Sequence, residues 1–502
     1  MPMLARLTRG LPALAAAALF ALPAAAAEFR IGLQEDPDIL DPHEARTFVG
    51  RIVFNALCDK LIDTDEKLEI VPRLATSWTI SDEGKTVTFK LRQGVKFHDG
   101  TPFDAAAVKA NIERAKTSQT SRRKSEVKSV ASVEVVDPAT VAFKLTAPDA
   151  PLLAQLTDRA GMMLSPASFD KPVGPNPVCS GPYKFVERVQ NDRIVLERFA
   201  DHWEKDKYHF DKVTFRVIPD STVRLANLRS GQLDMLERLA ASDVKSAKSD
   251  KTLKVDSVVG LGYQGISINL NNGARSETPL GKDKRVRQAL SLAIDREALT
   301  EVVFEGLFEP TAQPFPSSSP YYDKSFPPPK RDVAKAKALL KEAGVEKFSF
   351  EMQVANSPVD QQVAQVIQAM AAEAGIDIKL RSSEFATMLK SQTAGDFQAT
   401  RVGWSGRVDP DGNLHQFVTT GGGINDTKYS NPAVDKELNA SRLVYDVAAR
   451  KPHFDAAGKI LRDELPIIYL YLPAWIWASS AKVDGFVPNP DGMIRLANMK
   501  LK

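Results

Sequence analysis

At 502 residues the chain is too long for one hydrophobic core and holds two or more domains. Its 43% apolar and 26% charged content is that of an ordinary soluble globular protein, able to bury a sizeable core. The net charge of +3 includes Arg6 and Arg9 at the N-terminus and leaves no electrostatic footprint for nucleic acid.

The N-terminus reads as an export leader spanning residues 1–27. Arg6 and Arg9 form a short basic region, Leu11 to Leu22 an apolar run, and Ala25-Ala26-Ala27 a small-residue cleavage site before Glu28. No cysteine follows the apolar run, which favours a freely diffusing periplasmic protein over a lipid-anchored one. No other segment has the length of a membrane-spanning helix. Export would place Cys58 and Cys179 in an oxidising compartment, where they either form a disulfide or remain two separate buried thiols.

Phe29 to Leu33 reads as the first strand, and residues 49–61 as a helix with Ile52, Val53, Ala56 and Leu57 on one side. Val87, Phe89 and Leu91 then alternate with Thr86, Thr88 and Lys90, the period of a half-buried strand, and Ser81-Asp82-Glu83-Gly84 before them predicts a hairpin turn. After the turn His98-Asp99-Gly100-Thr101-Pro102, Asp104 is placed to cap a helix whose Ala107, Val108, Ile112 and Ala115 share a face.

The residues of this unit carry a resemblance. Leu74-Ala75-Thr76-Ser77-Trp78, the turn, Phe89-Lys90-Leu91-Arg92 and Lys96-Phe97-His98-Asp99-Gly100-Thr101-Pro102-Phe103 resemble, in order, the signature of bacterial extracellular solute-binding proteins of the peptide/nickel family. Those are receptors of ABC importers for dipeptides, oligopeptides, nickel chelates and related solutes. Asp38 to His43 matches the family's early loop, and Arg46, Thr47 and Phe48 correspond to a segment that borders its ligand cleft. Taken alone, Arg46 reads as a solvated surface arginine, with the cleft position as the alternative.

Further along, Lys116, Arg122, Arg123, Lys124 and Lys128 form a basic cluster of the kind that is usually a solvated face, with transporter docking as the alternative. Residues 130–145 predict a second hairpin around Asp137-Pro138-Ala139. Cys179-Ser180-Gly181-Pro182-Tyr183-Lys184-Phe185 resembles the family's Gly-Thr-Gly-Pro-Tyr-Lys-Phe motif, with Cys and Ser replacing its first two residues. Arg229, Gly231 and Asp234 suit a helix end followed by a strand.

Tyr263 to Leu270 looks like the strand by which family members cross between lobes, and an amphipathic helix follows within residues 286–303. The proline-rich stretch 314–329 reads as a surface excursion. Helices starting at Asp332 and Ser357 and stopping at Gly344 and Gly375, with a strand on either side of the second, predict a β-α-β unit. Leu465 to Leu472 is a continuous apolar strand, with Trp475 and Trp477 leading to a second crossing.

The resemblance implies an α/β fold of two lobes with mixed sheets, of the large peptide-binding type. Lobe I is expected over 28–264 with 479–502 returning to it, and lobe II over 265–478, joined by a hinge of two crossings. Arg401-Val402-Gly403-Trp404-Ser405-Gly406-Arg407-Val408-Asp409 resembles the cleft segment, where peptide-binding members carry, three positions after the Trp, an acid that pairs with the ligand's amine. Here that position is Arg407, so Asp409 or Glu35 would have to substitute. Dipeptide-binding members place a carboxylate-binding arginine early in the helix after Pro358, where this chain has Gln361 and Gln362.

The expected ligand-binding set is therefore Arg46, Phe48, Tyr263, Arg401, Trp404, Arg407, Asp409 and Tyr469. The arginines favour an anionic ligand unless they pair internally. The function implied is capture of a dipeptide or short oligopeptide for a membrane permease, with an opine, a glutathione-like compound or a metal chelate as the alternative. A monomer without cofactor, metal site or nucleic-acid partner is expected. A secreted hydrolase is disfavoured: Gly403-Trp404-Ser405-Gly406 lacks the spacing of a nucleophile elbow, and the six histidines form no zinc pattern.

Overall fold

The computed structural model describes residues 27–502, so the expected leader lies outside the described residues apart from Ala27. Local chemistry places most element ends where the sequence predicts them. The hairpin strands are Ala75–Ser81 and Thr86–Leu91. Asp104 accepts from the Ala107 amide to start helix Ala105–Thr117, and Thr47, Asp332 and Ser357 cap the helices Phe48–Leu57, Val333–Glu342 and Pro358–Ala372 in the same way.

Three sheets carry the structure. A seven-stranded mixed sheet runs in the order Leu253–Val259, Ala474–Ser480, Met235–Leu236, Glu28–Leu33, Lys212–Val217, Arg193–Arg198, Tyr183–Val189. A six-stranded mixed sheet has the order Glu309–Pro310, Ile467–Leu472, Tyr263–Ile268, Ala399–Trp404, Phe348–Ala355, Ile376–Ser383. In it Phe348–Ala355 lies parallel to Ile376–Ser383, as the β-α-β pattern requires. The hairpins combine into a separate four-stranded antiparallel sheet covered by helix Ala105–Thr117, with Phe89, Phe143, Val108 and Ile112 in a core of their own.

The chain changes sheet between Val259 and Tyr263 and returns at Pro473. The two crossings touch, the Gly260 amide donating to the Pro473 carbonyl at 3.1 Å. At Gly262 a Cβ would stand 1.8 Å from the Trp404 carbonyl, so only glycine lets the first crossing pass the neighbouring strand.

Four expectations are corrected. Trp475 and Trp477, placed within 265–478, pair instead in the seven-stranded sheet, and their rings are buried in its core beside Met493, Ile494 and Met499. The single amphipathic helix over 286–303 is two, Lys284–Ala293 and Arg296–Phe304, because Asp295 stops one and caps the other. The helix expected to reach 61 ends at Leu57. The 314–329 stretch is not merely superficial, since Phe315 and Tyr321 are buried against Phe454 with ring centroids 5.8 and 5.0 Å away.

The Cys58 and Cys179 alternatives resolve to a disulfide, which ties the end of helix Phe48–Leu57 to the loop before Tyr183–Val189.

Candidate functional site

Between the six- and seven-stranded sheets lies a cavity of about 210 Å³. On one side Glu35 follows the strand Glu28–Leu33, Arg46 and Phe48 begin helix Phe48–Leu57, and Arg238 follows Met235–Leu236. On the other, Tyr263 opens its strand, Arg401 and Trp404 lie on Ala399–Trp404, and the N-terminus of Pro358–Ala372 presents Asp360.

Phe48 stacks on Trp475 at 4.2 Å between ring centroids, and the Arg238 guanidinium sits 4.8 Å over Phe48. Arg46 reaches across the cleft, donating from Nη2 to Asp426 Oδ2 at 2.7 Å and from Nη1 to Thr393 Oγ1. Arg401 donates to Asp360 and to the Tyr471 hydroxyl. Arg224 spends its guanidinium on the carbonyls of Ile218, Pro219 and Arg238.

Among the described residues, six guanidiniums line the cavity, those of Arg46, Arg123, Arg159, Arg224, Arg238 and Arg401, against three carboxylates, Glu35, Asp360 and Asp426. Asp360 and Asp426 are each bound by an arginine, whereas among the described residues Glu35 has only Arg238, at 3.5 Å. Burial pushes the Glu35 carboxyl up to about 7.

Five of the expected residues, Arg46, Phe48, Tyr263, Arg401 and Trp404, meet in this cavity, and three do not. Arg407 lies behind Trp404, its guanidinium 4.1 Å from that ring and Nε 2.5 Å from Asp158 Oδ2. Asp409 is held by Arg450 at 2.7 and 2.8 Å and is not available to a ligand amine. Tyr469 packs edge-on against Tyr263 at 4.7 Å, and Tyr471 lines the cavity in its place. A bulge opposite Gln264 and Gly265 shifts the register, so the two tyrosines belong to different hydrophobic clusters.

Sequence reasoning missed Arg123, Arg159, Arg224 and Arg238. Arg123, read as part of a solvated basic face, is only 2% exposed. Arg159 sits in a one-turn 3-10 segment and Arg238 at a left-handed position, neither of which has a periodic signal.

The sequence profile of the bacterial extracellular solute-binding proteins, family 5 Middle, matches residues 69–425. Glutathione-binding protein GsiB of Pectobacterium atrosepticum is 31% identical over 479 residues, covering 92% of both chains. The ABC transporter-associated periplasmic binding protein DppA from Helicobacter pylori, solved in complex with the peptide STSA, superposes with a TM-score of 0.87 at 26% identity, over 95% of this chain and 98% of that one. The periplasmic binding protein AgaA from A. tumefaciens R10, in complex with agropinic acid, gives 0.86 at 27% identity, over 95% and 99%.

Proposed function

The chain belongs to the bacterial extracellular solute-binding proteins, family 5, receptors of ABC importers rather than enzymes, and on that premise we propose that it captures a small, net-anionic, peptide-like solute. The observation that carries the solute class is the excess of arginine over carboxylate around the cavity. Guanidinium binds carboxylate through two parallel hydrogen bonds, and inside a closed cleft little water competes. Glu35 is the carboxylate left for a ligand amine where the family's usual acid is replaced by Arg407.

A glutathione-like tripeptide, with two carboxylates and one ammonium, fits this distribution, and glutathione appears in the name of the relative from P. atrosepticum. The lobes divide at residues 260–262 and Pro473, and a ligand touching both favours closure by its extra contacts. The protein works as a monomer in the periplasm after its leader is removed near Ala27, and presents the closed form to the permease.

The test is thermal melting of the mature protein, stripped of ligand by unfolding and refolding. A solute at about 100 times its dissociation constant adds about 2.7 kcal/mol. Glutathione or agropinic acid is expected to raise the melting temperature more than neutral dipeptides such as alanyl-alanine. A rise with the neutral dipeptides alone overturns the anionic reading.

A further inference from the structure

With Arg6 and Arg9 left aside, the rest of the chain holds 64 basic and 63 acidic residues, a net charge of +1. Its lysines are nonetheless gathered at one end of the seven-stranded sheet. Lys248, Lys251 and Lys254 recur at every third position where helix Ala241–Ser249 ends and strand Leu253–Val259 begins. Residues 481–502 come to the same place: the Ala481 amide donates to the Thr252 carbonyl at 2.8 Å, Lys254 Nζ to the Val483 carbonyl at 2.5 Å, and the Lys502 amide to the Lys482 carbonyl at 2.9 Å. A two-stranded ribbon of Val483–Asp484 and Lys500–Leu501 sets Lys500 opposite Asp484.

Six exposed lysines therefore meet here, Lys248, Lys251, Lys254, Lys482, Lys500 and Lys502. The acids interspersed with them are already engaged, Asp250 by Arg229 at 3.5 Å and Asp484 by Lys502 at 3.2 Å. Among the described residues, Lys248, Lys251, Lys482 and Lys500 form no ion pair. Leu501, between two of the lysines, is 37% exposed. Strand Leu253–Val259 starts at this patch and ends beside the Gly260 crossing, which puts the patch about 20 Å from the cleft at about 3.3 Å per residue. Ala474 and Trp475 line the cavity, whereas Ser480, at the other end of their strand, pairs with Leu253 beside the patch.

We propose that this end of the protein is a docking surface for the anionic headgroups of a phospholipid bilayer. An ammonium is a compact, hydrated charge without the two-pronged geometry of guanidinium, so several of them spread over a surface answer a diffuse field better than one carboxylate. Charges within a Debye length of an anionic bilayer, about 8 Å at physiological salt, each add to the attraction. Leu501 is placed to enter the headgroup layer among them. An importer's receptor works beside a membrane, and weak, reversible attachment concentrates it there. The patch and the cavity lie at opposite ends of the same strands, so attachment leaves the cleft free to take up solute.

The test is co-sedimentation of the mature protein with vesicles of phosphatidylcholine, either alone or with about one third phosphatidylglycerol. Binding is expected only to the vesicles with phosphatidylglycerol, and should weaken at least about tenfold between about 50 and 200 mM salt. A variant carrying Lys251→Glu, Lys482→Glu and Lys500→Glu should lose at least about tenfold in partitioning, and Lys→Gln at the same positions should lose less. The control carries Lys335→Glu, Lys337→Glu and Lys341→Glu, exposed positions on helix Val333–Glu342, and has the same net charge. It should stay within about threefold of the wild type. Equal losses in the two triple variants would show that net charge, not this patch, governs attachment, and would overturn the proposal. So would equal binding to both kinds of vesicle. No binding to phosphatidylglycerol vesicles at low salt overturns it as well, and leaves an acidic protein face as what the lysines meet.

Discussion

Arg46 and Asp426, on opposite sides of the cleft, form an ion pair of 2.7 Å whose side chains are 14% and 7% exposed. The structure is thus a closed form, and this pair is part of what holds it. Removing one partner of a shielded ion pair leaves the other charge stranded, at a cost of roughly 3 to 5 kcal/mol where burial is complete and less where, as here, some water remains. Asp426→Ala should therefore enlarge the radius of gyration measured by small-angle X-ray scattering under conditions that close the wild type. An unchanged radius would remove this pair from the closure.

Glu35 makes stability depend on pH. Its ordinary pKa of 4.5 rises to about 7 through burial, opposed by Arg238 and reinforced by Glu237, Asp360 and Glu384. Between those values the folded protein keeps a proton that the unfolded chain has lost, so the contribution is complete below about 4.5 and disappears as pH rises through 7. The effect is on the order of 3 kcal/mol at most. Buried His43 and His98, pulled down to about 3 and about 4, slope the other way below neutrality, so the difference between wild type and Glu35→Gln is the quantity to read. Melting at pH 5 and pH 8 should show a smaller loss in Glu35→Gln than in wild type; equal losses would contradict the assignment.

The Cys58 and Cys179 bridge closes a loop of 121 residues. Chain-entropy reasoning gives about 4 to 5 kcal/mol for a loop of that size. Denaturant unfolding with and without reductant should show a loss of roughly 2 to 5 kcal/mol, and Cys58→Ser alone should reproduce it. Reduction without effect would show that the bridge does not stabilise this fold.

Gly262→Ala tests the first crossing. The added Cβ would lie 1.8 Å from the Trp404 carbonyl and 2.5 Å from the Ser405 carbonyl carbon, both backbone atoms that cannot swing aside. A loss of more than about 3 kcal/mol is expected, against about 1 kcal/mol or less for Gly94→Ala, where nothing stands within 4 Å and only the backbone angle is unfavourable. Comparable melting temperatures for the two variants would contradict the close approach.

Much of the fold was legible because its signals are local. Asp104, Asp332 and Ser357 cap their helices from within three residues, and the alternation at 86–91 needs no distant partner to be recognised. The site was legible in part, through a motif match around Gly403-Trp404. What was lost depends on partners far along the chain. Arg407 falls in the right segment, but Asp158 draws it behind Trp404; Tyr469 and Tyr471 look equivalent until the bulge opposite them is known. Arg159 and Arg238 occupy irregular backbone, where periodicity has nothing to report.

The central claim is that the cavity recognises negative charge on a peptide-like solute. Calorimetric titration of the stripped protein with alanyl-alanine, alanyl-glutamate, glutathione and alanyl-lysine varies that charge on related skeletons. The account predicts tighter binding as carboxylates are added, by about tenfold or more between alanyl-alanine and the best acidic ligand, with alanyl-lysine weakest. A flat series, or one led by alanyl-alanine or alanyl-lysine, would contradict it.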